Sequence, residues 1–190
     1  MAGEEHHING QDGVERARTW LEKTGRVSVQ YTVYEVGAVP FLTFRNVNDA
    51  EYSFDMCGNL YLDEGTTTFF GEIKKYNDVG DQPAKYIEYL AKCYRACAAH
   101  GRPYHFIWIT WHPFSQTIWR NLCTAEQIHN SVQTHKALYC GADEDIDDEL
   151  CADLADRLWL IVLSDRQEDL SMTDEQLGLL RQAAVLGVTP

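Results

Sequence analysis

Two acidic side chains and one lysine stand where a strand pattern would bring them together. Glu72 and Lys74 lie two residues apart in an apolar stretch, residues 68–76. Side chains alternate across an extended strand. Phe70, Glu72, Lys74 and Tyr76 therefore share one face, and Phe69, Gly71, Ile73 and Lys75 share the other. Burying a carboxylate and an ammonium on such a strand is costly unless they are paired or hold a metal. Asp55 lies seventeen residues before Glu72, on the preceding strand. A hairpin turning at Asp63, Glu64 and Gly65, good turn residues, brings the two carboxylates together. Two convergent carboxylates with backbone oxygen and water suit Mg2+ or Mn2+. Such an ion polarises a phosphodiester, promotes hydroxide formation and offsets charge on the leaving oxygen. A lysine beside it orients the attacking water and stabilises the charge that develops on phosphorus.

The elements that must position these residues follow from periodicity. Residues 13–23 read as a helix, with Val14, Ala17 and Leu21 on one face and Gly25 as its C-cap. Residues 27–36 alternate as a strand, and residues 41–47 form a second extended piece. Residues 52–62 and 66–76 form the antiparallel pair that carries Asp55, Glu72 and Lys74. Residues 78–81 break the pattern. A helix is predicted over residues 82–100, with Ile87, Leu90, Ala91, Tyr94 and Cys97 on its apolar stripe. Residues 104–111 and 158–163 are nearly apolar throughout, which predicts strands buried on both faces. Residues 115–137 read as helical. Residues 173–186 make a last helix, in which Thr173 and Gln176 form a capping box. The order predicts a mixed α/β three-layer fold. Residues 1–12 are expected to be flexible. Residues 13–190 are expected to form one domain, a core over 13–111 and an elaboration over 112–190.

Asp55 followed by Gly71-Glu72-Ile73-Lys74, on consecutive strands and ahead of a helix, resembles the PD-(D/E)XK, or restriction-endonuclease-like, nuclease superfamily. The resemblance covers roughly the first 110 residues and is topological. It implies an α-β-β-β-α-β core with a mixed β-sheet flanked by helices. It also implies Mg2+- or Mn2+-dependent cleavage of nucleic acid, DNA before RNA. Asp55, Glu72 and the Ile73 carbonyl would hold the metal, and Lys74 would serve catalysis. Gln82 and Lys85 match the helical Gln or Lys that many members add. Glu15 and Glu22 are the choices for an acid from the first helix. The chain departs from the motif in having Phe54, not proline, before Asp55.

The formal net charge of −13 opposes a nucleic-acid partner. Its distribution removes much of that objection: residues 1–142 hold 16 acids against 13 bases, whereas residues 143–156 hold eight acids and no base. That segment departs from a calcium loop, since Asp148 and Leu154 occupy the required glycine and glutamate positions. It reads as a solvated acidic stretch or as a contact for a protein partner. The six cysteines form no C-x2-C pair, which predicts reduced thiols in a cytoplasmic protein. No apolar run reaches the roughly 20 residues that span a bilayer. Lys75, Lys85, Lys92, Arg95 and Arg102 form either a basic strip or the solvated face of a helix. Trp108, Trp111 and Trp119 are expected in the core. The blander readings of the motif are a surface hairpin with solvated Glu72 and Lys74, a catalytically inactive nuclease-fold subunit, and an acidic inhibitor- or immunity-type protein. A homodimer is a further expectation without a sequence signature.

Overall fold

The computed structural model describes residues 2–75 and 78–185. Helix α1 (Ala2–Lys23) leads into strand β1 (Val27–Thr32), the one-turn helix α2 (Val39–Leu42) and the short strands β2 (Thr43–Arg45) and β3 (Glu51–Ser53). Strands β4 (Met56–Leu62) and β5 (Gly65–Lys74) follow, then helix α3 (Gln82–His100) and strand β6 (His105–Thr110). A 3-10 turn (Gln116–Asn121) precedes helices α4 (Ala125–Thr134), α5 (Lys136–Tyr139) and α6 (Asp148–Ala155). Strand β7 (Leu158–Val162) and helices α7 (Asp165–Glu168) and α8 (Asp174–Val185) complete the fold.

The main sheet has the order β1-β4-β5-β6-β7. Its first three strands are antiparallel, while β6 and β7 run parallel to β5. Helices cover both faces, so the fold is α/β with a mixed five-stranded sheet. One face packs Val29, Met56, Phe69, Ile73, Ile107 and Ile109 against Val14, Ala17 and Leu21 of α1. The other packs Phe54, Phe70, Phe106 and Trp108 against Tyr86, Tyr89, Leu90 and Cys93 of α3, with α4 and α6 beyond. Each of these fully buried large side chains contributes about 1.5–3 kcal/mol of transfer free energy.

Helix α3 has the predicted bounds for physical reasons. Pro83 stands in its first turn, where the missing N–H costs nothing. Gly101 ends it in the left-handed region at φ 59, and its N–H donates to the Cys97 carbonyl. The capping box of α8 also forms: the Thr173 N–H donates to Gln176 Oε1 and the Gln176 N–H to Thr173 Oγ1. Tyr76 and Leu186, predicted to extend β5 and α8, lie outside the described residues.

Four expectations are corrected. The helix predicted over residues 13–23 begins at Ala2. Gly10 and Gly13 break the apparent pattern, but their role is close approach. A Cβ at Gly13 would lie 2.7 Å from Lys75 Cβ, and one at Gly10 would lie 2.6 Å from the Tyr34 hydroxyl. Strand β1 stops at Thr32, where the chain turns and the Glu35 carboxylate accepts from the Thr32 N–H. The predicted helix over 115–137 is three pieces, divided where Thr124 caps α4 by accepting from the Gln127 N–H and at His135, which ends α4 and precedes α5. Finally, β7 is an edge strand and not a doubly buried one: Trp159 is 41% exposed.

Candidate functional site

Strand β5 places Glu72 and Lys74 as parity predicts, on the α3 face of the sheet. Glu72 is in register with Trp108 of β6, and Lys74 with Thr110. Lys74 Nζ lies 2.5 Å from Glu72 Oε1 and 5.7 Å from the Trp108 ring centroid. The two side chains are only 14% and 13% exposed. They are therefore a mostly buried pair, not solvated neighbours on a surface hairpin. Trp108 is fully buried and its indole nitrogen has no hydrogen-bond partner among the described residues.

Asp55 joins this pair from the bend between β3 and β4. Phe54 packs into the α3-side core and Met56 into the α1-side core, so the chain crosses the sheet at Asp55. The Asp55 N–H donates to the Gly71 carbonyl at 2.9 Å, and its own carbonyl accepts from the Val33 N–H at 2.8 Å. Asp55 Oδ2 accepts from the Ile73 N–H at 2.7 Å. The carboxylate thus takes the place of a ladder carbonyl and lies within electrostatic reach of Glu72 and Lys74. Burial first, and the Glu72 charge second, hold the Asp55 carboxyl well above its ordinary range.

Tyr34 also belongs to this neighbourhood, which sequence reasoning missed. Burial, then the charge of Asp55, pushes its hydroxyl up, and Lys74 acts in the opposite sense. No pattern marked it, because residues 27–36 read as one strand. The turn after Thr32 is what brings Tyr34 round.

Gln82 is fully buried at the start of α3. Its Oε1 accepts from Thr110 Oγ1 at 2.6 Å, and its Nε2 donates to the His112 carbonyl at 3.3 Å. Gln82 therefore ties α3 to the end of β6, directly beside the Lys74 register position. Gln82→Ala should lower stability by about 1–3 kcal/mol, as the buried Thr110 hydroxyl loses its shorter acceptor and the His112 carbonyl loses the amide donor. Urea denaturation measures this, and an unchanged midpoint would remove that role. His112 is half-buried and serves this network through its backbone.

The remaining candidates lie elsewhere. Lys85 is half-exposed, 3.4 Å from Asp81. Glu15 is exposed on α1, on the face of the sheet opposite Glu72 and Lys74. Glu22, also on α1, accepts from the Val29 N–H at 3.2 Å and lies 3.7 Å from Arg18. Neither converges with Asp55 and Glu72. Of the residues read as either a basic strip or a solvated helix face, Lys75 pairs with Asp12, Lys85 with Asp81 and Lys92 with Glu88. All six cysteines are free, as expected. Burial pushes the thiols of Cys57, Cys93, Cys97, Cys123 and Cys151 up, which favours their neutral form. In the acidic segment, Asp147 caps α6 by accepting from the Leu150 N–H, and Asp148 pairs with His129.

Among the described residues, no three His, Cys, Asp or Glu side chains cluster as a metal site, and no helix is long and apolar enough to cross a membrane. No family model, curated protein or solved structure matches this chain.

Proposed function

We propose that this chain is a metal-dependent nuclease of the PD-(D/E)XK type, acting on DNA in preference to RNA. The observation that carries the reading is the convergence of Asp55 on the Glu72–Lys74 pair at the α3 side of a mixed sheet. The succession α1, β1, β4, β5, α3 and β6 also has the helix and strand order that the sequence resemblance implies.

The residues present fit a hard divalent cation. Two carboxylates stand close enough for Glu72 to disfavour the charge on Asp55, a repulsion that a cation would relieve. One Asp55 oxygen is engaged by Ile73, which leaves the other for an ion. With two carboxylates and the Ile73 carbonyl as donors, the rest of the shell would be water, as Mg2+ favours. When bound, the ion supplies Lewis-acid polarisation of a phosphodiester and a more acidic water. The chain's own part is positional. Asp55 and Glu72 bind, and the Ile73 N–H and the β4–β5 ladder fix Asp55. Lys74, held over Trp108, presents its ammonium where charge builds on the phosphate oxygens. Gln82 keeps the end of β6 in place.

A second reading is a nuclease-fold subunit without catalysis. It is favoured by the completeness of the present bonding: Lys74 already neutralises Glu72, and Asp55 already caps Ile73. One experiment separates the two readings. Purified protein with Mg2+ or Mn2+ should nick supercoiled plasmid, and Glu72→Ala should lower the rate about 10²–10³-fold while the circular dichroism spectrum is retained. Wild-type protein inert on DNA and RNA with either ion would overturn the nuclease reading.

A further inference from the structure

Strand β7 closes the main sheet with an edge that nothing in its sequence blunts. Leu158, Trp159, Leu160, Ile161 and Val162 include no proline, glycine or charge, the devices that usually protect an edge. The opposite edge is treated differently. Strand β1 is interrupted between Val29 and Tyr31, and the N–H groups of Val29 and Thr32 donate to the carboxylates of Glu22 and Glu35.

The backbone phase of β7 follows from its pairing with β6. Arg157 accepts from the Phe106 N–H and Leu163 donates to the Thr110 carbonyl. Odd-numbered residues of β7 therefore turn their backbone groups toward β6. Leu158, Leu160 and Val162 turn theirs outward, where no partner is found among the described residues. On the α1 face, Trp159 and Ile161 border an apolar cavity of about 460 Å³ shared with Trp20, Leu60, Leu62 and Ile107. On the α3 face lie Leu158 and Leu160.

We infer that β7 pairs with β7 of a second copy of this chain, antiparallel and centred on Leu160, to make one continuous sheet across a two-fold dimer. The strand is complementary to itself in this register. Leu158 falls opposite Val162 of the other copy, and Leu160 opposite Leu160, so every outward N–H and C=O gains a partner. Trp159 falls opposite Ile161, an aromatic and β-branched cross-strand pair that covers the exposed indole. In this register Asp156 falls opposite Ser164 of the second copy, and the exposed Arg166 stands two residues beyond it, while the intervening Asp165 is paired with Arg16 of its own chain. A foreign strand would have to reproduce this pattern, whereas a second copy carries it already. The inference stands apart from the nuclease reading, since it uses neither Asp55 nor Glu72.

Sedimentation velocity of the full chain from about 1 to about 100 µM tests it, a range that covers weak as well as moderate association. The sedimenting mass should double with concentration. Two variants report on the register. Trp159→Lys places a charge on the edge, and Val162→Pro removes an outward donor that β6 does not use. Each should weaken dimerisation at least about tenfold, with the circular dichroism spectrum retained. Hydrogen exchange at Leu158, Leu160 and Val162 should slow as the dimer forms. A chain that stays monomeric throughout overturns the inference, as does a dimer that both variants leave intact. Slowed exchange that depends on an added foreign strand, with the chain itself monomeric, would also overturn it, by assigning the edge to another partner.

Discussion

Asp55→Asn should give a folded chain that is more stable than wild type at pH 8 and inert as a nuclease. The Asp55 carboxyl is raised from 3.8 to about 7, by burial first and the Glu72 charge second, against the opposing pull of Lys74 and the Ile73 N–H. A carboxyl raised in this way holds its proton more tightly folded than unfolded. Its contribution to stability is full below about pH 4 and is lost as pH rises through about 7. The loss over that whole range is on the order of 4 kcal/mol, given about 1.36 kcal/mol per pKa unit. Asparagine keeps an oxygen for the Ile73 N–H and brings no charge against Glu72, so the variant should lose that decline. Urea denaturation at pH 5 and pH 8 measures it. A variant with the wild-type slope would show that Asp55 does not titrate against Glu72. Mg2+ supplies a second readout. At one hundred times its dissociation constant it should stabilise wild type by about 2.7 kcal/mol through mass action, and the variant far less. Equal stabilisation would remove Asp55 from the ligand set.

The geometry behind that prediction was legible in part. Strand parity around Glu72 and Lys74 is a local rule, and β5 obeys it because Phe70 and Phe69 each need a core of their own. Pro83 and Gly101 likewise announce the ends of α3, since each acts through its own backbone. What stayed hidden depends on contacts between distant parts of the chain. Asp55 was predicted inside a strand, yet its role comes from the bend that sends Phe54 and Met56 to opposite cores. Tyr34 enters the site only because a turn replaces the last residues of the expected first strand. Glu15 and Glu22 were plausible ligands by position along α1, but that helix covers the other face of the sheet. Composition alone makes residues 158–163 look like a central strand. Only the sheet order shows that β7 has one neighbour and leaves Trp159 exposed.

Lys74→Met should separate a catalytic lysine from a structural one. Lys74 Nζ lies 2.5 Å from Glu72 Oε1 in a mostly buried setting. Removing it strands a carboxylate beside Trp108, next to Asp55. Breaking such a pair costs about 3–5 kcal/mol in metal-free protein. If Glu72 is also a metal ligand, the lysine competes with the cation for it. The variant should then gain more stability from Mn2+ than wild type does, because the ion restores the missing positive charge. Cleavage should nonetheless fall about 10²–10³-fold, since no ammonium remains to meet the charge on the phosphate. Tight metal binding together with lost activity is a combination that a purely structural ion pair does not produce. If the pair is only structural, Lys74→Met destabilises, Mn2+ recovers nothing, and adding Glu72→Gln returns most of the loss by removing the unpaired charge. Thermal unfolding of wild type, the single variant and the double variant, each with and without Mn2+, distinguishes the two patterns, and plasmid nicking under the same conditions supplies the rate.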